Sequence, residues 1–511
     1  MKKQIVSSVL SLAAFLIASS AWAGGNSAPP LSLVGTYDSG SGNGCEIISV
    51  QTSTRRAAVI NTTEKAVDIL DLSSPASPSR KARHALGLKA GEEVTSIAFH
   101  PSDDYYLVTV RAAGPKDAGR VEIRGGGDGN LLKTLETGVD PDAVAIDPTG
   151  KFAAVANEAE EFWFNKETRE FESADGTLTL IRLASGAQGA EAVQIQFDQQ
   201  TGEKGWTTVD HGRYFERDVD VNGNGKIDEN VDLDGNGQID EGKVVVGTLF
   251  YIPVKASEAK GEKKMMLPIS NNLPAFLEPE NVAFSTDGSR LYVSFQENNG
   301  IAVIDTAEAK PVKYFGLGLS AHSADTADDG KAEFSKKLNA LREPDGIAVV
   351  DTPNGPVLIT ADEGDTEPGI PELKGTDVAG GSRTVGLFDA RSGKIVGDTK
   401  GQIDQQVSEA GFYPDERSVK KGSEPEGIVA FNDGGLYAVV TLERANGIAL
   451  VSFKEPENPT VVATAAIDKS AKPGAIAPEG IAYWKDAATG NQYVATANEK
   501  SGTVSVFQVN P

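Results

Sequence analysis

The sequence predicts an all-β chain folded as a seven-bladed β-propeller, and three observations carry that prediction. A short phrase, Pro-(Asp/Glu)-x-(Val/Ile) leading into a β-like run, occurs five times, at Pro141, Pro279, Pro344, Pro425 and Pro478. Each copy is followed 16 to 20 residues later by a second carboxylate. Short apolar runs separated by Asp-Gly, Thr-Gly, Asn-Gly and Ser-Gly pairs fill the intervals, and such pairs accept the positive φ that hairpin turns need. Self-similarity at blade length marks a ring of repeats that share a core with their neighbours, so the long chain counts as one domain.

Read from the N-terminus, Lys2-Lys3, an apolar stretch from Val6 to Ile17 and Ala21-Trp22-Ala23 before Gly24 form a secretory signal peptide, with cleavage expected after Ala23. Residues 24–30 read as a flexible leader. Residues 31–185 are assigned to blades 1–3 together with a closing strand, Leu31 to Tyr37, that pairs into the last blade. Residues 186–274 form an insertion too long for an ordinary blade loop. Residues 275–511 hold blades 4–7. No later segment offers the roughly 20 apolar residues of a membrane span, so a periplasmic or extracellular protein is expected.

The formal charge of -25 becomes -27 once Lys2 and Lys3 leave with the signal, because 46 basic residues then face 73 acidic ones. That balance excludes nucleic acid as a partner and favours cations. The single cysteine, Cys45, cannot form an intrachain disulfide and reads as a small buried residue. The four histidines show no zinc spacing, and no nucleophile elbow, P-loop or dinucleotide fingerprint is present.

In a propeller the innermost strand lines the axis and the next strand runs antiparallel to it, so the start of one and the end of the other share a face. Asp142, Glu280, Asp345, Glu426 and Glu479 mark five such starts, and Glu158, Glu297, Glu363, Glu443 and Glu499 the matching ends. Ten acids facing one mouth need cations or arginines, and Arg342 and Arg444 stand beside two of them. Hard oxygen donors favour calcium or magnesium. The same side chains could instead cap turns or pair with those arginines. The blades beginning near Glu46 and Ser96 lack the phrase, which makes the expected mouth lopsided.

Within the insertion, Asp220, Asn222, Asn224, Lys226 (by its carbonyl) and Asp228 fall at positions 1, 3, 5, 7 and 9 of a calcium-loop pattern with Gly225 at position 6. Asp232, Asp234, Asn236, Gln238 and Asp240 repeat it after 12 residues, with Gly237 at position 6. Position 12 is Val231 or Lys243 rather than Glu, so Asp232 could serve both loops, or Glu229 and Glu241 could swing in. Calcium is the expected cofactor here, ordering the insertion. A weaker echo, Asp325-Thr326-Ala327-Asp328-Asp329-Gly330, reads as turn chemistry.

Asp140-Pro-Asp-Ala-Val-Ala with Val155-Ala-Asn157-Glu158, then Gln296-Glu297-Asn298-Asn299-Gly300, Thr360-Ala-Asp362-Glu363-Gly364-Asp365 and the ending Ala477-Pro-Glu-Gly-Ile-Ala with Ala497-Asn498-Glu499 resemble the choice-of-anchor I family. That group is similar to mesenchyme-specific cell-surface glycoproteins and to atypical secreted bacterial alkaline phosphatases. The double calcium loop looks like an accessory to the family core, and no anchor is evident after Val509. The resemblance implies an exported propeller of either of two kinds. One is a calcium-binding protein whose acidic face holds cations or an ionic, polymeric partner. The other is a metal-dependent phosphoester hydrolase, with a further divalent metal and a phosphorylated ligand on the same acids.

Overall fold

The computed structural model describes residues 28–159, 162–165, 170–197, 209–215, 244–251, 277–364 and 381–511. Both calcium-loop patterns, 220–228 and 232–240, lie outside the described residues. Seven four-stranded antiparallel sheets stand as blades around one axis. Blade 1 holds Cys45–Gln51, Arg56–Asn61, Ala66–Asp71 and Ser79–Ala85, counted from the axis outward. Blade 2 runs from Glu93–Phe99 to Leu131–Val139, blade 3 from Pro141–Ile146 to Glu191–Gln196, and blade 4 from Pro279–Phe284 to Lys310–Gly316. Blade 5 runs from Ile347–Thr352 to Lys394–Asp398, and blade 6 from Pro425–Asn432 to Thr460–Ala466.

Blade 7 is composite. Pro478–Lys485, Gln492–Asn498 and Thr503–Val509 come from the C-terminal end, and the outer place is taken by Leu31–Asp38, antiparallel to Thr503–Val509. The ring is therefore closed by an N-terminal strand, which leaves no sheet edge between first and last blades. The outer strand of blade 3, Glu191–Gln196, falls inside the stretch 186–274 that the sequence assigned to the insertion, so that blade ends later than expected. The apolar run that reveals its first three strands does not continue into this polar, largely exposed fourth one.

Alternating burial fills the spaces between blades with apolar layers, one at each of the seven junctions among the described residues. The layer between blades 7 and 1 packs Trp484, Val506, Tyr37, Val59 and Cys45. Cys45 is fully buried, and burial pushes its thiol up to about 12, so it behaves as a core residue. Two excursions leave the ring near blade 5: a hairpin, Leu319–Ala324 with Lys336–Leu341, and a helix, Gln402–Glu409. Among the described residues no helix is long and apolar enough to cross a membrane.

Candidate functional site

In every blade but the fifth the innermost strand begins with a β-bulge, and the bulge aims the residue there toward the axis. In blades 3, 4, 6 and 7 the register slips between Pro141 and Val144, Pro279 and Val282, Pro425 and Ile428, and Pro478 and Ile481. One extra residue sits on the inner strand at that point, a device that re-aims a side chain. The residue before proline, at Asp140, Glu343, Glu424 and Ala477, takes φ of 51, 45, 57 and 51°. Its carbonyl accepts the amide of Glu158, Glu443 or Glu499 at 2.8–2.9 Å in blades 3, 6 and 7. The phrase thus fixes the backbone of the second acid as well as the direction of the first.

Blade 1 repeats the bulge without proline, between Cys45 and Ile48, which puts Glu46 at the register of Asp142. The lopsided mouth expected from two phrase-less blades is corrected to this extent: six blades supply an inner acid, namely Glu46, Asp142, Glu280, Asp345, Glu426 and Glu479. In blade 2 the same slip lies between Val94 and Ile97, so the equivalent residue is Thr95. A cavity of about 410 Å³ on the axis is lined by Glu46, Asp142, Glu280, Asp345 and Glu479 together with inner-strand residues of every blade.

The second acids are less uniform. Asn157, Leu442 and Asn498 face the phrase prolines, so Glu158, Glu443 and Glu499 hold equivalent places. In blade 4 Phe295 faces Pro279, which makes Gln296 the equivalent residue and sets Glu297 one step further on. Gln296 donates from Nε2 to Glu363 at 2.9 Å. In blade 2 Val110 faces Val94, and the equivalent position is a cation, Arg111. It pairs with Glu93 and, at 3.5 Å, with Asp140.

Burial and mutual repulsion push these acids toward the neutral form. Glu46 is raised from 4.5 to about 8 by burial, with the Asp142 and Glu499 charges adding. Asp345 is raised from 3.8 to about 8 by burial and by Glu363 and Asp142. Glu280, Glu426 and Glu479 stand well above the usual carboxylate range for the same two reasons. Glu363 rises to about 7 through burial, held back by Lys421.

Two groups converge closely enough to share an ion. Glu363, Glu424, Glu426 and Glu443 each bring an oxygen within 4.8 Å of the others, as do Glu158, Glu280 and Glu297. All the donors are carboxylate oxygens, a set suited to a hard cation. Lys421 lies in the first group, on Glu363 and 3.9 Å from Glu424. Arg444 pairs with Glu443 at 2.8 Å and Glu424 at 3.4 Å, and Arg417 with Glu424 at 2.6 Å.

Arg342 is not on the mouth. It is 2% exposed, and its two terminal nitrogens reach Asp362 at 2.8 Å and Asp398 at 2.5 Å, at the ends of the second and outer strands of blade 5. Its sequence neighbourhood with Glu343 and Asp345 suggested the axis, but the ion pairs draw it outward. Sequence reasoning also missed Glu46, Glu424 and Lys421. Glu46 was detectable, since Glu46-Ile47-Ile48 keeps the acid-x-aliphatic spacing of the phrase; nothing local marks Lys421.

A model of the choice-of-anchor I domain matches residues 46–379 and 371–456. No curated protein matches the chain in sequence. Similar solved structures include hydrazine synthase of Kuenenia stuttgartiensis, at 12% identity and TM-score 0.48, covering 93% of this chain and 100% of that one. The Cps50 (Swd1) β-propeller domain of Myceliophteria thermophila is 10% identical with TM-score 0.47, over 94% and 100% of the two chains. The C-terminal WD40 domain of Sif2 is 9% identical with TM-score 0.47, over 94% and 99%. With a match spanning most of its length, the chain belongs to the choice-of-anchor I family.

Proposed function

We propose that this is an exported, calcium-dependent propeller whose axial acidic face binds divalent cations and, through them, an ionic partner. The observation that carries the reading is the set of inner acids from six blades, five of which line the axial cavity, with Glu46 and Asp345 each raised to about 8. Close carboxylates cannot all ionise cheaply, and a bound cation relieves both burial and repulsion. Export rests on the signal-peptide pattern of residues 1–23 and on the family. Calcium in the insertion rests on the tandem pattern beginning at Asp220 and Asp232.

The test is calorimetric titration of chelator-stripped protein with calcium and manganese, comparing the parent with Glu280→Gln/Asp345→Asn. A variant Asp220→Ala/Asp232→Ala separates insertion sites from axial ones. Loss of at least one binding event in the axial variant is expected; identical stoichiometry and affinity in parent and axial variant would remove the reading. The phosphoester-hydrolase alternative uses the same acids but loses Arg342 as a phosphate partner, because both ends of that guanidinium are engaged. Turnover of a generic phosphomonoester by metal-loaded protein, abolished in the axial variant, would restore it.

A further inference from the structure

We infer that the protein has a second cation site, away from the axis, in which Asp325 and Asp415 hold a hard divalent ion of the calcium class between the blade 4–5 hairpin and the segment that follows the helix. The site is built from two excursions. Asp325 follows the strand Leu319–Ala324 and opens the loop of that hairpin, and Asp415 lies beyond Gln402–Glu409. The two are joined by direct contacts. Asp415 Oδ2 accepts the amides of Asp329 and Gly330 at 3.1 and 2.7 Å, and Phe334 packs edge-on against Tyr413 at 5.4 Å.

The observation that points to a ligand is a concentration of buried oxygens without hydrogen-bond partners. Asp325 is 2% exposed; its Oδ1 accepts the Ala327 amide at 3.2 Å, while its Oδ2 is buried and makes no hydrogen bond. Asp415 Oδ1, the Tyr413 hydroxyl and the Ser418 hydroxyl are in the same condition. A buried polar atom left alone is costly, and more so when charged, so the two carboxylate oxygens call for a partner. Burial raises the Asp325 carboxyl, the charges of Asp415 and Asp329 add to the rise, and the amides of Ala327 and Glu333 oppose it.

The nearby cation does not supply what is missing. Arg383 donates to the carbonyls of Asp325, Ser418 and Lys420 at 2.8, 2.7 and 2.9 Å, and lies 3.5 Å from Asp404. It ties the two excursions together through their backbones, and its Nε, itself buried without a hydrogen-bond partner, bonds neither carboxylate. Two carboxylates offer oxygen donors only, a chemistry that suits calcium better than softer ions. The same segment continues to Lys421, Glu424 and Glu426, so the ion would fix the stretch of chain that carries part of the axial face.

The experiment uses the mature full-length chain with Asp220→Ala/Asp232→Ala as background, so that the insertion does not contribute. Terbium is added as the probe, with Tyr413, whose hydroxyl feels the charges of both Asp325 and Asp415, as the expected sensitiser. Tyr413→Phe should cut the sensitised signal at least twofold. Asp325→Asn/Asp415→Asn should weaken calcium binding at this site at least tenfold and abolish its share of the calcium-induced rise in Tm. In chelator the same double variant should melt no lower than its parent, since two unpaired charges have been removed. Should that variant not fold, Asp415→Asn alone and the Tyr413→Phe signal read the same site. Glu158→Gln/Glu280→Gln on the axis should leave this signal intact. Calcium affinity and terbium emission unchanged by Asp325→Asn/Asp415→Asn would overturn the inference and assign the oxygens to buried water.

Discussion

Stripping divalent cations and raising the pH should destabilise this propeller across a range in which most proteins are indifferent. Glu46 rises from 4.5 to about 8 and Asp345 from 3.8 to about 8 in the folded chain. Between those limits the folded protein holds protons that the unfolded chain has released, so stability falls as pH rises. The contribution is complete below about pH 4 and is gone once pH passes about 8. Each retained proton is worth about 1.4 kcal/mol per pH unit, so two independent acids would lose about 5 kcal/mol between pH 5 and 7. Neighbouring acids share protons, and about 2–5 kcal/mol is the range to expect, a large part of a typical domain's stability. Thermal melts in chelator from pH 5 to 8, followed by fluorescence of Trp484 in the blade 7–1 layer, measure it. Saturating calcium should flatten the profile. A metal-free Tm that is level or climbs over that range would refute the argument that these acids are buried and uncompensated.

Other consequences follow from single contacts. Glu280→Gln/Asp345→Asn should raise the metal-free Tm at pH 8 by several degrees, removing two ionisations that burial opposes, as a melt in chelator would show. Arg342→Met should cost about 3–5 kcal/mol in urea unfolding, because Asp362 and Asp398 lose their partner while one of them is fully buried. Gly427→Ala should destabilise by about 1–3 kcal/mol, since a Cβ there would stand 2.2 Å from the Glu479 carbonyl of the next blade. Removing residues 31–38 should leave the edge Thr503–Val509 open and make the protein aggregate on concentration, visible by light scattering.

The propeller was legible because its signal is repeated. Pro141, Pro279, Pro425 and Pro478 all mark the same bulge, and one strand seen clearly in blade 4 can be laid over the others. The outer strand of blade 3 was not, since Glu191–Gln196 has only Ile195 buried and so lacks an apolar pattern. The site was legible where an acid follows proline, and less so where the backbone bulges without it, as at Glu46. Arg342 illustrates the opposite failure. Adjacency in sequence placed it with Asp345, whereas its partner Asp398 is 56 residues away and is set by the outer strand of the blade.

Blade 2 shows that the gap in the acid ring is a built feature rather than a lapse of the repeat. Its bulge is intact, so a carboxylate at residue 95 would be aimed like those of the other five bulged blades. Thr95 instead donates its hydroxyl to the Pro141 carbonyl at 2.6 Å, binding the inner strand to that of blade 3. The second-acid position is inverted as well, since Arg111 sits where Glu158, Glu443 and Glu499 sit, and pairs with Asp140 of the next blade. One sector of the mouth thus loses two negative charges and gains a positive one. Six acids around one axis repel most strongly with nearest neighbours on both sides, so an interruption lowers the cost of the whole ring. It also gives the face a direction. The carboxylates stand on blades 3 to 7 and 1, whereas blade 2 presents Arg111, paired with Glu93 and Asp140, at a 180 Å³ hollow lined also by Gly91 and Ala112.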